Sequence, residues 1–358
     1  MEALAGKRNK AIVIVEPGTC KTEVVERPIE SPGAGQVLVR LWYTGVCHSD
    51  YSFCTGGFSN VAPKGHIGGH EGIGEVVAQG PGVVSPPIGS RVGVKFIASA
   101  CLSCRHCLRG AEASCAEAPL TGFTVPGTFQ QYCLATANYV TVLPPDVPDD
   151  LLPGLAPLMC AGLTVYAGLK RAEARPGDWV VVTGAGGGLG HLAVQYAKVL
   201  GARVLALDGG DKKDFCESLG VDVFVDFTAF ATDADLCSRV KTVTGGGAQV
   251  VIACSGSNRA YGQAMGYLDD CGTLVCIGIP EGAPTPISGA LPGAIALKQW
   301  RIIGSKVGNR LDASECIDIA ARGLVKTHFQ LRKMEELSEI FEEMRQGKIK
   351  GRVVIDLR

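Results

Sequence analysis

Net charge, aromatic bulk and long apolar runs are all scarce in this chain of 358 residues. Lysine and arginine together number 34 against 35 aspartates and glutamates, a net charge of −1. That balance leaves no basic footprint for nucleic acid or for an anionic membrane surface. No window is long and apolar enough to span a bilayer, and the opening MEALAGKRNK lacks the apolar core of a secretory signal. A soluble, cytoplasmic protein is the expectation. There is no internal repeat and no low-complexity segment. Aromatic residues make up only 6% of the chain while glycines number 48, a balance that suits an α/β protein with many tight turns.

What is plentiful points to chemistry. The length allows two domains, each with its own core. Fifteen cysteines in a reducing compartment argue for metal ligands and buried thiols, not disulfides.

The stretch Asp178 to Asp208, DWVVVTGAGGGLGHLAVQYAKVLGARVLALD, organises the rest. Trp179 to Val182 is β-branched, apolar and too short for a helix, so it reads as a buried strand. Glycines cluster from Gly184 to Gly190. Leu189, Ala193, Ala197 and Leu200 then share one helical face, Gly201 stops the helix, and Arg203 to Leu207 reads as a second buried strand ending in Asp208. This strand–turn–helix–strand unit is the mononucleotide-binding half of a doubly wound parallel sheet. The turn brings backbone N–H groups against a pyrophosphate at a helix N-terminus, where a side chain would block the approach. The register is Ala185-x-Gly187-x-x-Gly190, with the first glycine of the usual fingerprint displaced by one. Asp208 can accept hydrogen bonds from an adenosine ribose diol and would repel a 2′-phosphate. Gly209, Gly210 and Asp211 supply no arginine to offset this, so NAD is favoured over NADP.

The first third reads differently. KAIVIV, EVVER, QVLVRLWYTGV, IGEVVAQ and RVGVKF are strands separated by glycine and proline clusters, without long helices between them. An antiparallel, barrel-like domain is expected. Cys47-His48-Ser49-Asp50 follows the third strand, Gly69-His70-Glu71-Gly72 lies in a glycine-rich turn, and Cys160 stands where a helix begins in PLMCAGLTVYAGL. Taken singly, Cys160 reads as a core thiol. As a set, Cys47, His70 and Cys160 suit zinc and leave one position open, as a catalytic site requires. Cys101, Cys104, Cys107 and Cys115 are spaced C-x-x-C-x-x-C-x7-C. Four thiolates on one loop close a tetrahedral shell, the mark of a structural zinc. Reducing conditions disfavour a disulfide there, and the last spacing is too long for the bacterial iron–sulfur run. His106 inside the loop is expected to be solvated.

From Gly177 strands and helices alternate. Further strands are expected at VDVFVDF, AQVVIAC, TLVCIGI and RIIGS, and helices near KKDFCESLG, DLCSRVKTV and RAYGQAMGYL. Six strands complete a two-halved dinucleotide fold. Beyond about Asp312 come two helical stretches and GRVVIDLR, a strand with no place left in that sheet, which is expected to return to the first domain. The boundaries are thus 1–160, 161–311 and 312–358, with the active site in the cleft between domains.

The ordered series GVCHSD, GGHEGIGEVV, CLSCRHC, GTFQQY, LMCAGLTVYAGLK, GGLGHLAVQYAK, LALDGG, GSKVGNR, ARGLVK and GRVV resembles the zinc-dependent medium-chain alcohol dehydrogenases, closely the fungal, yeast-type branch. The resemblance implies a Rossmann domain and a GroES-like catalytic domain. It implies two zinc ions, NAD, and hydride transfer between an alcohol and the nicotinamide. By position, Cys47, His70 and Cys160 match the catalytic zinc ligands, and Glu71 the acid that can visit the metal. Asp50 matches the acid that orients the ligand imidazole, and Ser49 the hydroxyl beside the alcohol. His48 and Arg352 match contacts to the cofactor pyrophosphate. Gly187, Gly188, Leu189, Asp208 and Lys213 match the adenosine side, with Lys212 an alternative to Lys213. Ile277, Ile279, Ser305 and Val307 match the nicotinamide end. The substrate pocket implied is Ser49, Tyr51, Phe58 and Phe96.

Two departures carry consequences. The relay histidine that the family commonly has is Ser52 here, and two pocket tryptophans of ethanol-active members correspond to Phe58 and Phe96. A substrate bulkier than ethanol follows, for instance an aromatic metabolite. The rival readings are a zinc-free quinone or enoyl reductase of the same superfamily, which the intact ligands and Asp208 oppose, and a non-catalytic NAD-binding protein. The apolar stretch LPGAIALKQWRIIGS together with the resemblance implies a homo-oligomer, a tetramer or dimer.

Overall fold

The computed structural model describes residues 6–58 and 60–358. The chain forms two compact units. One takes the chain up to Leu163 together with Gly308–Gly323 and Thr327–Arg358; the other comprises Thr164–Val307 and Leu324–Lys326. The changeovers fall a few residues from the expected 160/161 and 311/312 boundaries.

The first unit is built on seven strands before the crossing: β1 (Arg8–Ile14), β2 (Thr22–Pro28), β3 (Gln36–Val46), β4 (Gly72–Gln79), β5 (Arg91–Val94), β6 (Tyr132–Thr136) and β7 (Thr141–Val142). β1 and β2 pair antiparallel as a separate ribbon. The second unit contributes β8 (Trp179–Thr183), β9 (Arg203–Asp208), β10 (Val223–Asp226), β11 (Ala248–Ala253), β12 (Leu268–Cys276) and β13 (Arg301–Gly304). The chain then adds β14 (Phe329–Lys333) and β15 (Arg352–Asp356) to the first unit.

β3 is the axis of the first unit. Its eleven residues pair with β4 along one edge, and with β6 and then β15 along the other. GRVVIDLR does return as expected: Val353, Val354 and Ile355 are fully buried opposite Val46, Gly45 and Thr44. β14, which pairs only with β15 and in parallel, is the strand that the sequence hides. FQLRK carries no apolar run, and its face is largely solvent-exposed, so hydrophobic periodicity has nothing to register. The core beneath this sheet joins Val39, Leu41, Val92 and Val353 with Leu337, Ile340 and Phe341 of the helix Leu337–Arg345.

The second unit is a six-stranded parallel sheet in the order β10-β9-β8-β11-β12-β13. The order reverses between β8 and β11, the switch point at whose strand ends dinucleotides bind in doubly wound folds. β8 is buried along its whole length, as covered parallel strands must be.

Candidate active site

Three strand ends of the first unit converge. The β3–β4 pairing ends at Thr44 opposite Gly72, so Glu71 and His70 follow directly, and the Gly45 N–H donates to the Glu71 carbonyl at 2.8 Å. The β3–β15 pairing begins at Val46 opposite Val353, which sets Arg352 beside Cys47. Gly45 is needed here: a Cβ would lie 2.0 Å from the Glu71 Oε2. Cys160 enters from the turn before the helix Ala161–Arg171. Ligand atoms of Cys47, His70, Glu71 and Cys160 all lie within 4.8 Å of one another.

Asp50 sits on the helix His48–Thr55 and ties this group together. Its Oδ1 accepts from His70 Nδ1 at 2.9 Å and from the Gly69 N–H at 3.1 Å, and its Oδ2 accepts from the Cys47 N–H at 3.0 Å. Asp50 thereby fixes the His70 tautomer and directs Nε2 to the cluster, the usual second partner of a metal-ligating imidazole. That Nε2 is buried with no protein partner, a donor or acceptor that a bound ion satisfies. Burial alone would make the imidazole harder to protonate, but the Asp50 carboxylate and the Cys47 sulfur outweigh it and push His70 well up. The hydrogen bond from the Cys160 thiol pulls the Cys47 sulfur well below the usual thiol range. Two sulfurs, an imidazole and a carboxylate are a donor set for zinc. His70 and Glu71 are fully buried, and at Cys160 the cluster keeps some solvent exposure.

Behind the cluster the buried Glu71 carboxylate receives Nη2 of Arg352 at 2.5 and 2.6 Å. Burial pushes the Glu71 carboxyl up, to about 7, against the pull of that guanidinium. Rings close the other side. Phe96 stands edge-on to His70 at 5.3 Å between centroids, Phe123 lies 5.7 Å from His70 and 5.3 Å from Phe96, and Phe53 stacks on Phe123 at 4.7 Å. Phe123 rides on a turn pressed against the ligand loop: Gly122 has φ +76°, and a Cβ there would meet the Gly69 carbonyl at 2.4 Å.

The second cysteine cluster is a matching tetrahedron. All four sulfurs of Cys101, Cys104, Cys107 and Cys115 lie within 4.8 Å of one another, with Cys101–Cys107 at 3.9 Å and Cys104–Cys107 at 3.6 Å. Thiolates 2.3 Å from one zinc stand about 3.8 Å apart in a tetrahedron, far beyond the ~2 Å of a disulfide. Backbone N–H groups of Ser103 and Cys104 pull Cys101 down to about 6. His106 is exposed.

In the second unit the turn after β8 is held by Asp208. Its Oδ2 accepts from the Gly186 N–H at 2.7 Å and its Oδ1 from the Gly209 N–H at 2.8 Å. Each carboxylate oxygen retains a lone pair for a ribose hydroxyl. Gly187, Gly188 and Leu189 lead into the helix Gly190–Val199. Ile277 and Ser305 follow the carboxyl ends of β12 and β13, joined by the Ser305 N–H to the Cys276 carbonyl at 3.1 Å. Ile277, Ser305 and Val307 are buried, whereas Ile279 is exposed.

The family models for the "Alcohol dehydrogenase GroES-like domain" and the "Zinc-binding dehydrogenase" match residues 33–145 and 188–322. Alcohol dehydrogenase 2 of Emericella nidulans is 47% identical over 98% of both chains. This chain belongs to the zinc-dependent medium-chain alcohol dehydrogenases. Among solved structures, an NAD-dependent alcohol dehydrogenase superposes with a TM-score of 0.86 at 27% identity, over 98% of this chain and all of that one. An acetophenone reductase of Geotrichum candidum in complex with NAD superposes at 0.83 and 28% identity, over 98% of each chain.

In this alcohol dehydrogenase four of the expected site residues, Arg352, Lys213, Tyr51 and Phe58, are placed as follows. Arg352, expected at the cofactor pyrophosphate, places Nη2 on Glu71, because β15 delivers it behind the cluster where a buried carboxylate needs a cation, and its Nε is buried without a protein partner. Lys213, expected beside the adenosine, points along its own helix to Glu217 at 3.8 Å. It is the Lys212 stem that packs at the turn, 3.0 Å from where a Gly186 Cβ would stand. Tyr51 packs edge-on to His48 and to Phe341, on the core side of its helix. Phe58 is half-buried in the loop after that helix; the ring that joins Phe96 at His70 is Phe123. Nothing local marks Phe123, since 53 residues of chain separate it from His70. His48 is exposed, with Nδ1 3.2 Å from Ser52 Oγ, and Ser49 precedes Asp50 on the same first turn.

The Asp208 carboxylate yields a direct expectation for the enzyme. Asp208→Asn should weaken NAD by about 1–3 kcal/mol, the value of a charged hydrogen bond, and should narrow the preference over NADP. Comparing kcat/KM for both cofactors checks this; a wild type that uses NADP better than NAD would overturn the ribose assignment.

Proposed function

We propose that this zinc- and NAD-dependent alcohol dehydrogenase interconverts alcohols bulkier than ethanol, aromatic or long-chain, with their carbonyl products. The observation that carries the reading is the pair of phenyl rings, Phe96 and Phe123, against His70. At Phe96 a phenylalanine stands where ethanol-active relatives have tryptophan, and the smaller ring leaves room that ethanol cannot fill. The acetophenone reductase, whose name denotes an aromatic ketone, supports an aromatic substrate.

When bound, zinc supplies Lewis acidity at the substrate oxygen. The chain's own groups do the rest. Asp50 orients His70, and the Glu71–Arg352 pair backs the cluster with a compensated charge. The Ser49 hydroxyl would accept the alcohol proton while passing its own on towards solvent. Ser52 is no base near neutral pH; its Oγ donates to the His48 carbonyl at 3.0 Å and meets the His48 ring. That contact offers the proton a route through an exposed imidazole to water.

NADH formation measured across ethanol, hexanol and benzyl alcohol tests this. At about 0.8 kcal/mol per buried methylene, hexanol should exceed ethanol in kcat/KM by roughly 200-fold at full burial. Phe96→Trp should return preference to small alcohols. Ethanol clearly preferred by the wild type would end the reading.

The same reading includes a cytoplasmic, reducing location, supported by fifteen cysteines of which none is in a disulfide. It also includes a homo-oligomer, dimer or tetramer, supported by Leu291 and Leu297, which stand 65% and 87% exposed just before the edge strand β13.

A further inference from the structure

We propose that His191 is a positioning residue for the cofactor pyrophosphate: its Nδ1–H locks the Gly187 carbonyl and so aims the Gly188 N–H out of the helix N-terminus. The inference rests on the NAD reading of this unit. His191 is the second residue of the helix Gly190–Val199, and its ring is wholly buried. Nδ1 lies 2.9 Å from the Gly187 oxygen, which also accepts the His191 backbone N–H at 3.1 Å. The ring sits beside Phe215, 6.2 Å between centroids, on the helix Lys213–Ser218 that follows Asp208.

The physical need comes from Gly186-Gly187-Gly188. Three successive glycines sample both signs of φ at little cost, so their peptide planes flip readily. A planar trans peptide points its C=O and the next N–H in opposite directions. With the Gly187 C=O held towards the helix by two donors, the Gly188 N–H is turned the other way, to the N-terminal end where an anion is bound. The rest of the turn is pinned at its nitrogens, Gly186 N–H to Asp208 and Gly187 N–H to the Gly184 carbonyl at 3.0 Å. His191 therefore secures the one carbonyl that sets the phosphate-facing donor. It must carry its proton on Nδ1 to do so.

The test compares His191→Leu, which keeps bulk and loses the donor, with His191→Asn, whose side-chain amide can replace Nδ1–H. NADH affinity is read by fluorescence titration of the full-length enzyme, and ADP-ribose and adenosine by competition. The leucine variant should bind NADH and ADP-ribose about 10-fold or more weakly with adenosine unchanged, and the asparagine variant should recover most of the loss. A leucine variant equal to wild type, or one that loses adenosine by the same factor, would overturn the proposal, as would an asparagine variant no better than leucine. If the leucine variant does not fold, nitrogen-15 NMR of histidine-labelled wild type decides: a protonated Nδ1 supports the assignment and a bare one defeats it. A wild type that binds neither NADH nor ADP-ribose would remove the NAD reading itself.

Discussion

Cys160→Ser is expected to lower alcohol turnover by roughly 10³-fold or more, since the metal's stabilisation of developing charge is worth several kcal/mol. A serine hydroxyl stays protonated near neutral pH and is a poor ligand for zinc, which takes thiolate, imidazole or carboxylate. The remaining group would be Cys47, His70 and Glu71, and Glu71 is already engaged by Arg352. The fold should survive. Cys160 lies in a turn with some solvent exposure, its neighbour strands are paired elsewhere, and serine is close to cysteine in volume. Metal analysis should fall from two ions per chain, one for each cluster, to one, with an unchanged circular dichroism spectrum and a melting temperature within a few degrees. A variant with full activity and one zinc or none would remove the catalytic role assigned to this cluster.

Cys104→Ser should do the reverse, taking stability first. Loss of a metal belongs with the short list of changes that exceed about 4 kcal/mol, which corresponds to a fall of roughly 8–16 °C in the unfolding midpoint for a unit of this size. The loop cannot hold three thiols in place without the ion, because apart from its cysteines Ala113 is its one buried apolar residue. What it does carry is a set of polar bonds, the Tyr139 one buried and the others partly buried or exposed. Glu112 accepts the Tyr139 hydroxyl at 3.0 Å, and the Arg310 backbone and Nε at 3.2 and 3.0 Å; the Asn309 amide donates to the Gly110 carbonyl at 3.0 Å. Loosening the loop releases the start of the helix Arg310–Ala321 as well. The specific activity per remaining catalytic ion, measured below the new midpoint, should stay near that of the wild type. An unchanged midpoint in protein that has lost one zinc would show that the loop needs no metal.

The parts of this enzyme that could be read in advance are those written in covalent spacing. Cys101 to Cys115 lie on one short loop, so their spacing alone predicts a closed shell of four thiolates. The run Trp179–Val182, the glycines and Asp208 form one continuous unit, and parallel strands buried on both faces announce themselves as unbroken apolar runs. The return of GRVVIDLR followed from counting: six strands already filled the nucleotide sheet, and an apolar strand needs a partner. The helix His48–Thr55 gave no such signal, because HSDYSFCT has almost no apolar face; its start is secured by Asp50 on the Cys47 N–H.

What needed the tertiary structure is what depends on where distant strands end. Arg352 reaches Glu71 across 281 residues of sequence because β15 pairs with the last residues of β3. Phe123 reaches His70 because a tight glycine turn is pressed onto Gly69. Lys212 takes the place at the turn and Lys213 does not, because the short helical turn after Asp208 rotates one stem towards Gly186 and the other towards Glu217. Residue type and local spacing determine which groups can ligate, donate or turn the chain. Register and packing determine which of them meet, since one residue of slip turns a side chain to the other face of a strand, and no local pattern records that choice.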